Sequence, residues 1–289
     1  MRVVKLWMVL SAVLFTSHIY SQDFESNSKR ELNFAFEVKQ IDEFFERFNN
    51  DQNSLLASYV KLKYPEIAIT RVSLLKSLFN DAGRSDPDSI RDFCTQVADS
   101  AHPEFLDFYG GEWYAEALCK FKLNGVVTDV PVLLKIQQEA NGGAKWVIVS
   151  AYSRRLGVST RPVVFPMKES CCKFLNPMSH ATNFISLSRA FRDKTNLADY
   201  LAPGFLRVPS SKAFIRALLN DQLEYMYVKQ IRYHFLQIDG WVFTVERYNR
   251  NSVHSGWLVS KLIKANEFGK QIYRTSLIRR GELAAGKRK

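Results

Sequence analysis

Residues 113–152, WYAEALCKFKLNGVVTDVPVLLKIQQEANGGAKWVIVSAY, decide the fold class. Three runs dense in apolar, β-branched and aromatic residues, Trp113–Leu123, Val126–Gln137 and Lys145–Tyr152, are each too short for a long helix and are punctuated by turn chemistry. Asn124-Gly125 is the residue pair that best tolerates the positive φ values of a type I′ hairpin, and Asn141-Gly142-Gly143 breaks the chain again before the third run. The stretch therefore reads as an antiparallel meander.

Upstream the period changes from strand to helix. Phe34, Val38, Ile41, Phe44, Phe45 and Phe48 recur every three or four residues and predict one amphipathic helix from Leu32 to Asn49. A second helical stretch runs through Val72, Leu75, Leu78 and Phe79 and ends near Asp81-Ala82-Gly83. A third begins after Pro87, with Asp86 as its cap, and carries Ile90, Phe93, Cys94 and Val97. Helices followed by a meander give an α+β class, with helices packed on a bent antiparallel sheet.

Downstream the order recurs. Helical stretches follow Ser179, span 197–201 and run from Ser210 to Asp221. A strand from Glu224 to Ile238 then leads through Asp239-Gly240 into Trp241–Tyr248, and Gly256-Trp257-Leu258-Val259 opens the next. Trp146-Val147-Ile148 and Trp257-Leu258-Val259 occupy corresponding places, so the chain reads as two tandem related units. The expected organisation is a signal peptide at 1–21, a first unit at 22–152, a connector at 153–178, a second unit at 179–278 and a basic tail at 279–289.

On this order of elements, with its Asn124-Gly125 turn and Trp146, the chain resembles the nuclear transport factor 2-like fold, also called ketosteroid-isomerase-like and grouped with cystatin-like folds. The resemblance covers about 32–152 and, more loosely, 179–278. It implies a cone-shaped fold with a pocket between sheet and helices, used in different members for catalysis, ligand binding or protein interaction; fold alone does not choose among these.

Charge and compartment narrow the choice. The first unit, Gln22 to Tyr152, holds 14 basic and 20 acidic residues, whereas Ser153 to Lys289 holds 24 basic and 9 acidic, within a chain of net charge +11. A basic half attracts anionic partners. Arg2 and Lys5, followed by the apolar run Leu6–Phe15 and a polar stretch ending with cleavage after Ser21, have the build of a secretory signal peptide, so export to a periplasmic or secreted space is expected. Left uncleaved, the same segment would attach the protein to a membrane. Cys94, Cys119, Cys171 and Cys172 lack metal-ligand spacing; the first two read as buried thiols or as one disulfide.

No catalytic set is legible. Asp107, Tyr109, Tyr114, Glu116 and Asp129 are the carboxylates and tyrosines a ketosteroid-isomerase-like reaction would draw on, but Asp107 and Tyr109 also read as loop, and Glu116 and Asp129 as outward strand residues. With Asp239 and Gly240 as the turn, His234 falls opposite Val245 and Glu246 opposite Tyr233, so a His234–Glu246 acid–base pair is split between two faces. The histidines have no metal-ligand spacing, Gly-x-Ser-x-Gly is absent, and no cofactor is expected. Cations interleave with aromatics in the second unit, which makes Arg232, Arg247, Arg250, Lys261 and Lys264 the ligand-binding candidates. Export favours an anionic envelope component or an acidic protein surface over nucleic acid as their partner. The sequence thus points to an exported, non-catalytic binding or interaction module. Two alternatives stand beside it: a small-molecule enzyme or ligand carrier using a ketosteroid-isomerase-like pocket, and a membrane-anchored component of a secretion or conjugation assembly.

Overall fold

Strands β1 (Trp113–Leu123), β2 (Val126–Gln138), β3 (Ala144–Ala151), β4 (Leu223–Phe235), β5 (Trp241–Tyr248) and β6 (Gly256–Lys264) form one open antiparallel sheet in the order β3-β2-β1-β4-β5-β6. The computed structural model describes residues 30–66, 70–80, 85–166 and 173–286. The segment read as a signal peptide, the expected helix end at Asp81-Ala82-Gly83, Cys171 and Cys172 lie outside the described residues. The fold is α+β, and both stretches read as separate units supply strands to the same sheet through the central β1–β4 ladder.

Local chemistry explains the meander. Asn124 and Gly125 take φ values of 48° and 82°, the mirror-image turn expected of this pair, and Leu123 pairs with Val126 across it. Alternation then assigns the faces. Trp113, Ala115, Ala117, Cys119 and Phe121 enter the main core, while Tyr114 and Glu116 take the opposite face. Across the main-core face runs an aromatic row: Trp146 on β3, Trp113 on β1, Phe235 on β4 and Phe243 on β5. Trp113 lies 5.2 Å from Trp146 and stacks on Phe235 at 5.4 Å, and Phe235 stacks on Phe243 at 4.9 Å.

Helices α1 (Ile41–Asn49), α2 (Leu55–Lys63), α3 (Arg71–Ser77) and α4 (Pro87–Val97) precede the first meander, and α5 (Leu187–Arg192) and α6 (Pro209–Leu219) precede the second. Asp86 caps α4 by accepting from the Ser89 N–H, with Pro87 in the first turn, as the sequence indicates. The helices cross over. Phe44 and Phe48 of α1 pack on Phe235 and Phe243, and Phe93 of α4 packs on Trp241 and Phe243; in return Phe191 of α5 and Phe214 of α6 pack on Phe121 of β1. Each half of the chain thus roofs strands of the other.

Two sequence readings need correction, and one that the sequence leaves open is resolved. The helix expected over Leu32–Asn49 is two pieces, residues 30–36 and α1, because Val38 leaves the helix to extend the sheet beyond β6: its N–H donates to the Ser255 carbonyl and its carbonyl accepts from Trp257 N–H at 2.8 Å. Cys94 and Cys119 are buried free thiols, so no disulfide joins them. Within the stretch read as a basic tail, residues 280–286 are helical: after α7 (Glu267–Ile278), α8 covers Arg280–Gly286.

Both sheet edges are blunted by such borrowed segments. Val38 bridges Gly256 and Phe79 bridges Val259 on β6, while Leu175 bridges Trp146 and Leu201 bridges Ile148 on β3. The β6 cover is tight enough to dictate glycine. At φ 90° a Cβ on Gly256 would stand 2.0 Å from the Val38 carbonyl oxygen. Replacing Gly256 with Ala is expected to cost on the order of 3 kcal/mol through overlap plus backbone strain. Urea unfolding checks it, and a midpoint equal to that of the parent chain would contradict the account.

Candidate functional site

The face of the sheet opposite the aromatic row carries a buried cluster of interacting ionisable side chains. Alternation along β1 brings Glu116 to this face, and the β1–β4 register, with Tyr114 opposite His234 and Glu116 opposite Arg232, brings His234 and Arg232 beside it. Helix α7 lies across them, held by Leu277 in an apolar group with Tyr114, Leu133, Val147 and Val242. Its N-terminus is capped by Asn266, whose side chain accepts from Gly269 N–H.

The hydrogen bonds form a chain. His234 Nε2 is 2.9 Å from Glu116 Oε2 and His234 Nδ1 is 2.8 Å from the Tyr273 hydroxyl of α7, while Arg280 of α8 bonds the other Glu116 oxygen. A neutral imidazole satisfies both contacts, donating from Nε2 to the carboxylate and accepting at Nδ1 from Tyr273. Burial lowers the His234 pKa and outweighs the hydrogen bond to Glu116 that would raise it. Burial alone would raise Glu116, but the hydrogen bond from His234 and the charge and hydrogen bond of Arg280 hold its carboxyl at about 2. Tyr273 is pushed up to about 12 by burial and by the Glu116 charge. The cluster is therefore a carboxylate, a neutral histidine and a protonated tyrosine, each hydrogen-bonded to another protein group. A hydroxyl with so high a pKa is a poor nucleophile, and both carboxylate oxygens already accept from protein donors. What this arrangement does is fasten α7 and α8 to the sheet. Arg274 to Glu112 adds a second tie, and Gly281 a third, since a Cβ there would sit 2.6 Å from that of Ser210.

The β4–β5 register corrects the sequence reading. Of the two turn residues only Gly240 has positive φ, so Asp239-Gly240 does not form the type I′ turn. The pairing begins at Phe235 with Phe243 and places His234 opposite Thr244 and Arg232 opposite Glu246, one residue displaced from the expected register. That slip moves Glu246 onto the His234 face. Even so the two do not pair: Glu246 takes Arg232, with Nε donating at 2.7 Å, and His234 takes Glu116. Glu116, read as an outward strand residue, is buried. The partners that sequence reasoning missed are Tyr273, whose Tyr273/Leu277 spacing of four was the available signal, and Arg280.

The remaining candidates do not gather at one point. Asp107 lies in an exposed loop, where it accepts from the Tyr109 N–H at 2.8 Å, and Asp129 is exposed and paired with Lys120 and Lys229. The five cations all lie on β4–β6 and the β5–β6 loop, yet on different faces. Lys261, opposite Thr244, shares the face of Arg232; Lys264, opposite Trp241, sits 5.2 Å from that ring's centre and pairs with Asp92; Arg247 is exposed on the other face, and Arg250 stands over Tyr248. Between α7 and the β5–β6 edge a cleft of about 710 Å³ is bordered by Trp241, Lys264, Asn266 and Tyr273. Among the described residues no group of three metal-ligating side chains occurs, and no helix is long and apolar enough to cross a membrane.

No family model, curated protein or solved structure matches this chain.

Proposed function

We propose that this protein is an exported, non-catalytic binding module that engages an anionic envelope component or an acidic protein surface through the cations at the β6 end of its sheet. The observation that carries this reading is the aromatic row. The face on which a nuclear transport factor 2-like fold would enclose its pocket is packed here by Trp113, Trp146, Phe235 and Phe243, each almost wholly buried. The resemblance to that fold, the tandem relation of the two units and the signal peptide belong to the same proposal. Arg232, Arg247, Arg250, Lys261 and Lys264 then act as a rim spread over both faces, which suits an extended acidic partner better than a small molecule.

Retention of the full chain on heparin as a model polyanion should fall steeply with salt. The Lys261→Glu/Lys264→Glu double variant should elute at clearly lower salt with at most a small fall in melting temperature, because both side chains are exposed and only the surface pair of Lys264 with Asp92 is lost. Salt-independent retention, or no change in the variant, would remove the charge argument. The cleft beside Tyr273 supports a second reading as a ligand carrier, since it joins an aromatic wall, a cation and an amide in one recess.

A further inference from the structure

In the N-terminal helical layer, away from the basic rim, Arg47 is almost fully buried in the last turn of α1. Among the described residues its guanidinium makes one hydrogen bond, from Nη1 to the Phe36 carbonyl at 2.8 Å; Nε is enclosed without a partner, and no carboxylate lies within ion-pair distance. Glu43 and Glu46 are the nearest acids on its own helix, and Glu43 is committed to the Lys39 N–H at 2.9 Å. A buried, unmatched guanidinium is costly, so such a group is retained where an anion completes it.

Arg47 forms part of the wall of a cleft of about 520 Å³ between α1, α2 and α3. The rest of the wall is rich in donors: Asn50, Asn53, Ser54, Ser58 and Lys61 all border it. Ser54 is the N-cap of the nine-residue helix α2, which has no acidic residue in its first turn, and Ser54, Ser58 and Lys61 follow at helical spacing on one side of it. Ser54 Oγ accepts from the Ala57 N–H, and the remaining first-turn amides at the positive end of α2 border the same space as the arginine. From this we infer that the cleft binds a small ligand through a phosphoryl-type oxyanion, held by Arg47, the first turn of α2 and Lys61. Three positive elements around one recess exceed what a single carboxylate uses, and the flanking amides and hydroxyls suit a hydroxyl-bearing remainder.

The test is calorimetric titration of the full chain with inorganic phosphate and, separately, with glycerol phosphate, at constant ionic strength set with chloride. Saturable binding of either is expected; binding of phosphate alone identifies a free-ion site, and tighter binding of the monoester identifies a ligand that carries the group. Arg47→Met should weaken binding roughly 10- to 100-fold, the range of a charged hydrogen bond, and should raise the melting temperature in phosphate-free buffer because it removes an unmatched buried charge. Should that variant fail to fold, Lys61→Gln at the exposed rim should fold normally and bind about 3-fold more weakly. Absence of saturable binding by the parent chain, or equal binding by a folded Arg47→Met or Lys61→Gln variant, overturns the inference.

Discussion

Expressed as separate polypeptides, residues 22–152 and 153–289 are each expected to lack a cooperative unfolding transition and a dispersed amide spectrum, and to recover both when mixed. The reason is the crossed packing. Without the second half, Phe44, Phe48 and Phe93 lose Phe235, Phe243 and Trp241; without the first, Phe191 and Phe214 lose Phe121. The β1–β4 ladder from Trp113↔Phe235 to Leu123↔Leu223 is also cut, exposing two long edges in place of the sheet centre. Each aromatic ring left in water forfeits roughly 2–3 kcal/mol, so the rings together outweigh the about 5–15 kcal/mol that holds a typical domain folded. A sharp thermal transition in either isolated half would show that the halves are independent and would sink this account.

The second large effect is expected at Glu116. Replacing it with Ala leaves the His234 Nε2–H buried without an acceptor and Arg280 without its carboxylate, a loss of about 3–5 kcal/mol of the kind seen when one partner of a buried pair is removed. Because the same group fastens α7 and α8, their chain should become the first site of proteolytic cleavage in the variant, at the Lys264–Arg280 stretch, before global unfolding. Cleavage elsewhere with α7 still protected would contradict the fastening role. The parent chain should show the linked acid response. Folded Glu116 is held at about 2 against an ordinary 4.5, so its contribution, on the order of 3 kcal/mol, is complete above pH 4.5 and is lost as the pH falls towards 2. His234, lowered from 6.5, acts in the same direction: below that pH the unfolded histidine takes up a proton more readily than the folded one. Denaturant midpoints should therefore decline from about pH 6.5 downwards, and the Glu116→Ala chain should lack the lower part of that decline. Identical pH profiles for the two chains would refute the assignment.

The local parts of this fold were legible because their causes are local. Asn124-Gly125 specifies its turn wherever it stands, Asp86-Pro87 starts a helix by its own chemistry, and the runs from Trp113 to Tyr152 alternate because a strand alternates. The α+β class followed from those pieces. The register of β4 against β5 did not: it depends on whether Asp239 joins Gly240 at positive φ, and a one-residue difference moves Glu246 to the other face.

What lay beyond the sequence had non-local causes. Val38 leaves its helix because an edge strand more than 200 residues later, at Gly256, offers it backbone partners, and no periodicity within 32–49 encodes that. Glu116 and Asp129 are both acidic residues on neighbouring strands and look alike in sequence. Helix α7 covers the first and leaves the second in solvent, which makes one a buried carboxylate shared by His234 and Arg280 and the other a surface partner of Lys120. Residue type and spacing determined which elements form, since both act within a few residues. Only the tertiary structure decided which half roofs which strands and which charges are buried, because burial is a property of what else in the chain arrives on the same face.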